Sequence, residues 1–123
     1  MITKDAKDLP LNARNFINQY FSKPQISYIK IDSEFLSKKY EVTLTDRTEI
    51  DFDKKGNWTE VDCKKGAVPA ALIPASIKDY VKKNFPNEII TKIERKGTGI
   101  EVELANDFSL KFNKKGQFVS MDD

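Results

Sequence analysis

Ile50-Asp51-Phe52-Asp53-Lys54-Lys55-Gly56-Asn57-Trp58 and Leu110-Lys111-Phe112-Asn113-Lys114-Lys115-Gly116-Gln117-Phe118 are two versions of one pattern, sixty residues apart. Apolar and polar residues alternate first, which is the period of a half-buried strand. A Lys-Lys-Gly turn follows, with glycine supplying the positive φ of a tight hairpin. Working outward at the same offset, Tyr40-Glu41-Val42-Thr43-Leu44 aligns with Ile100-Glu101-Val102-Glu103-Leu104, and Val61-Asp62 with Met121-Asp122. Upstream the offset becomes sixty-four: Leu9-Pro10 aligns with Ile73-Pro74, Phe16-Ile17 with Tyr80-Val81, and Phe21 with Phe85. The four-residue change falls between Asp32 and Lys39 and implies a longer first hairpin. The order of these matches reads as one unit written twice.

Each unit opens with an amphipathic helix. Leu9, Ala13, Phe16, Ile17, Tyr20 and Phe21 recur at steps of three and four, as do Ile73, Ile77, Tyr80, Val81 and Phe85. Pro10 and Pro74 suit a first helical turn, and Pro24 and Pro86 mark the far ends. Strands are expected at Ile26–Ile31, Lys39–Thr45, Thr48–Asp53 and Trp58–Asp62, then at Ile89–Arg95, Gly99–Leu104, Phe108–Asn113 and Gln117–Met121. Short connections make neighbouring strands antiparallel. The expected fold class is α+β: two tandem helix-plus-four-strand repeats forming an antiparallel sheet with helices on one face. Residues 1–8 are expected as a flexible lead, 9–62 as the first repeat, 63–72 as a linker and 73–123 as the second repeat.

Composition limits the chemistry. The 123 residues hold 21 Lys plus Arg against 19 Asp plus Glu, a net charge of +2 that argues against a nucleic-acid partner. With His at 0, there is no imidazole for a catalytic triad, for general-base chemistry or for a histidine-bearing zinc site. Cys63 is the single cysteine and can form no intramolecular disulfide. No apolar run approaches the length of a membrane span, and no secretory signal is legible. We expect no enzyme activity, no cofactor and no metal.

Alternation assigns the faces of the strands. Ile29, Ile31, Tyr40, Val42, Leu44, Ile50, Phe52 and Val61 are expected beneath the first helix. Ile93, Ile100, Val102, Leu104, Leu110, Phe112, Val119 and Met121 are expected beneath the second. The opposite face then carries Tyr28, Glu41, Thr43, Glu49, Asp51, Trp58 and Glu60 in the first unit, and Glu101, Glu103 and Phe118 among others in the second. Exposed aromatics are enriched at protein interfaces. The candidate partner-binding residues are therefore Tyr28, Trp58 and Phe118 as anchors, with Glu41, Asp51, Glu60, Glu101 and Glu103 setting the electrostatic preference. A bulge after the glycine turn would instead swing Trp58 and Phe118 inward, or they would cap the sheet edge.

Two other features tempt. Asp51 through Asp62 carries acids at the first, third and twelfth places of a calcium loop and glycine at the sixth, but Lys55 stands where an oxygen ligand is wanted. Its flanks alternate as strands, so a hairpin is the better reading. Lys64 and Lys65 beside Cys63 would favour a thiolate, but with no histidine to activate it a structural thiol is the better reading.

Leu9-Pro10, Tyr40-Glu41-Val42, Phe52-Asp53-Lys54-Lys55-Gly56-Asn57-Trp58, Val61-Asp62-Cys63, Val68-Pro69, Ile73-Pro74, Glu101-Val102-Glu103-Leu104 and Phe112-Asn113-Lys114-Lys115-Gly116 together resemble the PepSY-like, β-lactamase-inhibitor-like family of bacterial periplasmic proteins. The resemblance implies a fold like that of the β-lactamase inhibitor protein, a periplasmic or secreted location, and a protein-binding or inhibitory role. It supplies no catalytic residues. The expected function is a non-catalytic module of the bacterial envelope that binds an unidentified protein or peptide. The alternatives are a small-molecule or cation-binding carrier and a structural or assembly domain.

Overall fold

Two prolines set where the helices begin. Pro10 (φ −56°, ψ 150°) and Pro74 (φ −57°, ψ 145°) stand immediately before α1 (Leu11–Tyr20) and α2 (Ala75–Asn84). The ring pre-sets φ, and the missing N–H costs nothing at a helix start. Neither cap residue makes a side-chain hydrogen bond. The Pro10 carbonyl instead accepts from the amides of Ala13 and Arg14, and the Pro74 carbonyl from those of Ile77 and Lys78, all at 3.1 Å. Each proline thus sits one position ahead of the turn expected for it. Each helix buries one stripe, Ala13 and Ile17 in α1 and Ile77 and Val81 in α2. An aromatic amide closes each, Phe21 on the Ile17 carbonyl at 2.8 Å and Phe85 on that of Val81 at 2.7 Å.

The structure is a computed structural model that describes residues 1–34 and 37–123. The chain divides into two compact units, Met1–Val61 and Asp62–Asp123. In the first, β1 (Ile2–Thr3), β2 (Ile26–Glu34), β3 (Ser37–Leu44), β4 (Glu49–Phe52) and β5 (Trp58–Asp62, whose last residue crosses the division) follow one another in sheet order. In the second, β6 (Ile90–Lys96), β7 (Gly99–Leu104), β8 (Ser109–Asn113) and β9 (Phe118–Asp122) do the same. Neighbours pair antiparallel, with Val42 opposite Ile50 and Val102 opposite Leu110. These four side chains are buried, together with Phe52 in the first unit and Phe112 in the second. The α+β class therefore holds, with two helices and nine antiparallel strands among the described residues.

The β2–β3 hairpin runs out to Glu34 opposite Ser37, longer than its β6–β7 counterpart, which ends at Lys96 opposite Gly99. Phe35 and Leu36, where the sequence changes its offset, lie outside the described residues. Residues 1–8, expected as a flexible lead, instead carry a strand. Ile2 pairs with Lys30 and Thr3 with Ile29, and the Met1 ammonium donates to the Ile31 carbonyl at 3.1 Å. Nothing in the composition of so short a segment marks it as a strand, because the pairing partner supplies the order.

The glycine turns are built alike. Asp53 Oδ1 accepts from the amides of Lys55 (2.9 Å) and Asn57 (3.0 Å), and Asn113 Oδ1 accepts from those of Lys115 and Gln117, both at 3.0 Å. Gly56 (φ 84°) and Gly116 (φ 78°) take the left-handed position. Asp53 thus spends its carboxylate on turn amides, and strands flank the turn, as the hairpin reading of the calcium-like loop requires.

After each turn, the strand faces depart from simple alternation. On β9, Phe118 pairs with Phe112, yet Met121 pairs with Leu110, so the register slips by one residue between them. That bulge turns Phe118 toward α2, where its ring stacks on Tyr80 with centroids 4.6 Å apart and 9° between planes. Val119, expected beneath the helix, is 60% exposed, and Met121 is 46% exposed. In the first unit, Trp58 stacks on Phe16 of α1 at 6.1 Å and 29° while Val61, three residues on, is fully buried. Two residues three apart share a strand face only when an extra residue lies between them. Trp58 and Phe118 are therefore helix-side residues, and their assignment to the helix-free face is corrected.

Candidate binding face

With Phe52 and Val42 turned toward α1, their strand neighbours must turn the other way. Register then builds rows across the helix-free side of the first unit. Lys30 lies opposite Glu41, and Glu41 opposite Asp51. In the next row Tyr28 lies opposite Thr43, and Thr43 opposite Glu49. These residues, with Val42 between them on β3 and Glu60 of β5, line a hollow of about 330 Å³. Tyr28 is 41% exposed at its edge.

The charges in the hollow are arranged around one lysine. Lys39 Nζ lies 3.1 Å from Glu41 Oε1 and 3.4 Å from Asp51 Oδ2, while Lys30 Nζ reaches Glu41 only at 4.0 Å. The Glu41 contact raises the Lys39 pKa above its ordinary value. Asp51 is the most enclosed of these groups, with its side chain 16% exposed. Burial pushes its carboxyl above the ordinary aspartate range. The Lys39 ammonium opposes that rise, and the neighbouring Glu41 and Glu49 carboxylates reinforce it. The hollow thus holds a carboxylate that ionises against its surroundings.

Four of the eight residues expected to bind a partner meet here: Tyr28, Glu41, Asp51 and Glu60. Glu101 and Glu103 lie in the second unit on β7, opposite Lys111 and Ser109 respectively. Glu101 borders a smaller hollow of about 110 Å³ and accepts a hydrogen bond from Lys96 Nζ at 2.8 Å. Lys96 also lies 3.8 Å from Glu94, and both contacts raise its pKa, the one with Glu101 most. Trp58 and Phe118 belong to neither hollow. Lys30 and Lys39 escaped the sequence reading, although each stands two residues from a chosen position, Tyr28 and Glu41, and so shares its face.

Fold and face define a small α+β protein whose candidate site is a polar sheet surface on the side away from its helix. Among the described residues no group of three or more His, Cys, Asp or Glu side chains is placed so that it could hold a metal ion. Residues 38–120 match the family described as "Putative beta-lactamase-inhibitor-like, PepSY-like", and the chain belongs to that family. Three solved structures are similar over nearly the whole chain. A Bacteroides vulgatus protein described as "a putative periplasmic protein of unknown function" is 37% identical, with a TM-score of 0.96 over 100% of this chain and 98% of that one. A Bacteroides thetaiotaomicron protein described as "a putative calcium-regulated periplasmic protein" is 44% identical, with a TM-score of 0.92 over 97% and 94% of the two chains. A second Bacteroides vulgatus protein, described as "a putative periplasmic protein", is 37% identical, with a TM-score of 0.91 over the same shares. None of the curated proteins matches the chain. The family and these neighbours indicate no enzymatic class.

Proposed function

We propose that the chain is a non-catalytic binding module of the bacterial envelope that holds a protein or peptide in the hollow of its first unit. One observation carries the reading: an exposed tyrosine stands at the edge of a 330 Å³ hollow whose walls include Glu41, Glu49, Asp51 and Glu60. Tyrosine is among the side chains most enriched at the energetic centres of protein interfaces. The acidic walls favour a lysine or arginine side chain of the partner. The envelope location is supported by the periplasmic descriptions of the similar structures. An inhibitory outcome is supported by the family's inhibitor-like description alone.

The test is fluorescence anisotropy with two labelled peptides of one composition, differing only in lysine against glutamate. The basic peptide is expected to bind more tightly, to weaken with salt as exposed charge contacts do, and to lose about tenfold with E41Q/D51N/E60Q. Equal binding of both peptides overturns the reading.

A second reading, a cation carrier, draws on the same carboxylates and on the calcium-regulated description of the relative at 44% identity. Against it, Lys39 already bridges Glu41 and Asp51. A calcium-dependent rise in Tm that disappears in E41Q/D51N/E60Q would favour it over the peptide reading.

A further inference from the structure

We propose that the second unit carries a separate ligand site, for a single-chain aliphatic carboxylate. A cleft of about 300 Å³ opens between the segment before α2, the Lys78–Lys82 stretch of α2 and the start of β6. Its apolar walls come from Val68, Ile73, Val81, Phe85, Ile89 and Ile90. That volume is at the lower end of small-molecule pockets, and mostly apolar walls with few polar groups are their usual composition. The cleft is held open by backbone bonds. Val68 N–H donates to the Ile90 carbonyl at 2.9 Å, Ala105 N–H to that of Ile89 at 3.0 Å, and Glu88 N–H to that of Phe85 at 3.1 Å. The Phe85 ring is fixed edge-on against Phe108, with centroids 6.1 Å apart. Ile89 is left 45% exposed beside this cleft.

The charge at the cleft selects the head group. Lys78 and Lys82, one helical turn apart on α2, both line it, against the single carboxylate of Glu88. The helix dipole explains a lysine in the last turn, where Lys82 stands, but not Lys78, which lies in the first half of Ala75–Asn84. An alkyl carboxylate would bury its chain against the walls and meet two ammonium groups. An alkyl ammonium would meet the same two groups as like charges, and a neutral alcohol would gain from neither. At the offset of sixty-four, the first unit has Asn18 where Lys82 stands and Gln25 where Ile89 stands. The second unit alone combines the exposed isoleucine with the paired lysines.

The experiment is calorimetric titration of the full chain with decanoate, decylammonium and 1-decanol, each below its aggregation concentration. Decanoate is expected to bind at one equivalent and about tenfold more tightly than decylammonium. Octanoate is expected to fall about tenfold or more below decanoate, since each buried methylene is worth about fourfold. The K78Q/K82Q variant is expected to weaken decanoate about tenfold and leave 1-decanol unchanged. I89Q, a change at a half-exposed position, is expected to weaken both, with the thermal midpoint of each variant confirming that it folds. Uptake at many equivalents overturns the proposal, as does equal affinity for decanoate and decylammonium, no uptake of decanoate, or indifference of decanoate to K78Q/K82Q.

Discussion

Asp51 and Lys111 stand at matching strand positions, each opposite a glutamate: Glu41 faces Asp51 in the first unit, and Glu101 faces Lys111 in the second. One substitution reverses the sense of the cross-strand pair, since opposite charges in register attract and like charges repel by comparable amounts. Around it three further positions lose an acid or gain a cation, while Lys30 and Thr43 change the other way, to Glu94 and Glu103. Tyr28, Glu49 and Glu60 in the first unit correspond to Lys92, Ser109 and Ser120 in the second. In the second unit Lys96 bonds Glu101 and approaches Glu94, so those two acids share a cation. In the first, Lys39 is shared between two carboxylates, and further acids line the same hollow. The two units thus differ in where the acids stand, on β3, β4 and β5 in the first and on β6 and β7 in the second. What distinguishes a binding face here is which side chains stand on the strands, since fold by itself does not transmit function.

The largest effect expected on either unit comes from the aromatics that the bulges turn toward the helices. W58A is expected to destabilise by about 3 kcal/mol, toward the low end for large aromatics because the residue is half-buried. F118A is expected to cost about 1–2 kcal/mol, because 39% of Phe118 is already exposed despite its closer stacking. Urea unfolding midpoints measure both. Peptide binding at the hollow should be unchanged in W58A at concentrations where it is folded. Loss of peptide binding without loss of stability would return Trp58 to the helix-free face and break the contrast between the units.

A smaller difference is expected at the turns. G56A and G116A each place a side chain at positive φ, which costs about 1 kcal/mol before any contact is counted. At Gly56 the new methyl would also collide with the side chains of Asn12 and Pro10, the latter at 2.8 Å; at Gly116 it would meet Ser76 alone among close contacts, whose hydroxyl can rotate away. G56A is therefore expected to be the more damaging, by about 1 kcal/mol in urea unfolding. Equal losses would show that the Pro10-Asn12 segment yields as easily as Ser76.

Helices, strands and turns were legible because their signals are local. The stripe through Ile17, the alternation through Ile50 and Phe52, and the Lys-Lys-Gly turn each state a backbone period within a few residues. The acidic hollow was legible in part for the same reason, since Glu41 and Asp51 follow from alternation. Trp58 and Phe118 were not. A bulge is one extra residue paired across a register, and Val119 carries no mark that separates a bulged valine from an alternating one. Strand β1 was hidden for a related reason, because Ile2 and Thr3 become a strand only through Lys30 and Ile29. The role of Lys39 also needed the third dimension, which brings it between two carboxylates on different strands.

The smallest expected effect is also the most direct measure of the difference between the faces. Asp51 is held above the ordinary aspartate pKa, chiefly by burial, so the folded chain binds its proton more tightly than the unfolded chain does. By linkage, its contribution to stability rises as pH falls through the window from the folded pKa down to the unfolded one. Above both pKa values, where the carboxyl is ionised in folded and unfolded chain alike, it is a net cost. D51N is therefore expected to stabilise the protein at pH 7 by less than about 1 kcal/mol, the scale of partly exposed charge interactions. It should also flatten the dependence of stability on pH across the carboxylate range. K111N, at the matching position of the second unit, is expected to change stability little in either direction, because its contact with Asp122 is 3.8 Å and exposed. Urea unfolding at pH 4 and pH 7 compares the two variants with the parent. A D51N protein less stable than the parent at pH 7 would mean that the Lys39 contact outweighs burial, and that the hollow is an ion-pair network built for stability. A D51N protein more stable at pH 7 but weaker for the basic peptide would show the first unit keeping a destabilising carboxylate where the second has a lysine, which is what a binding face requires and a merely soluble one does not.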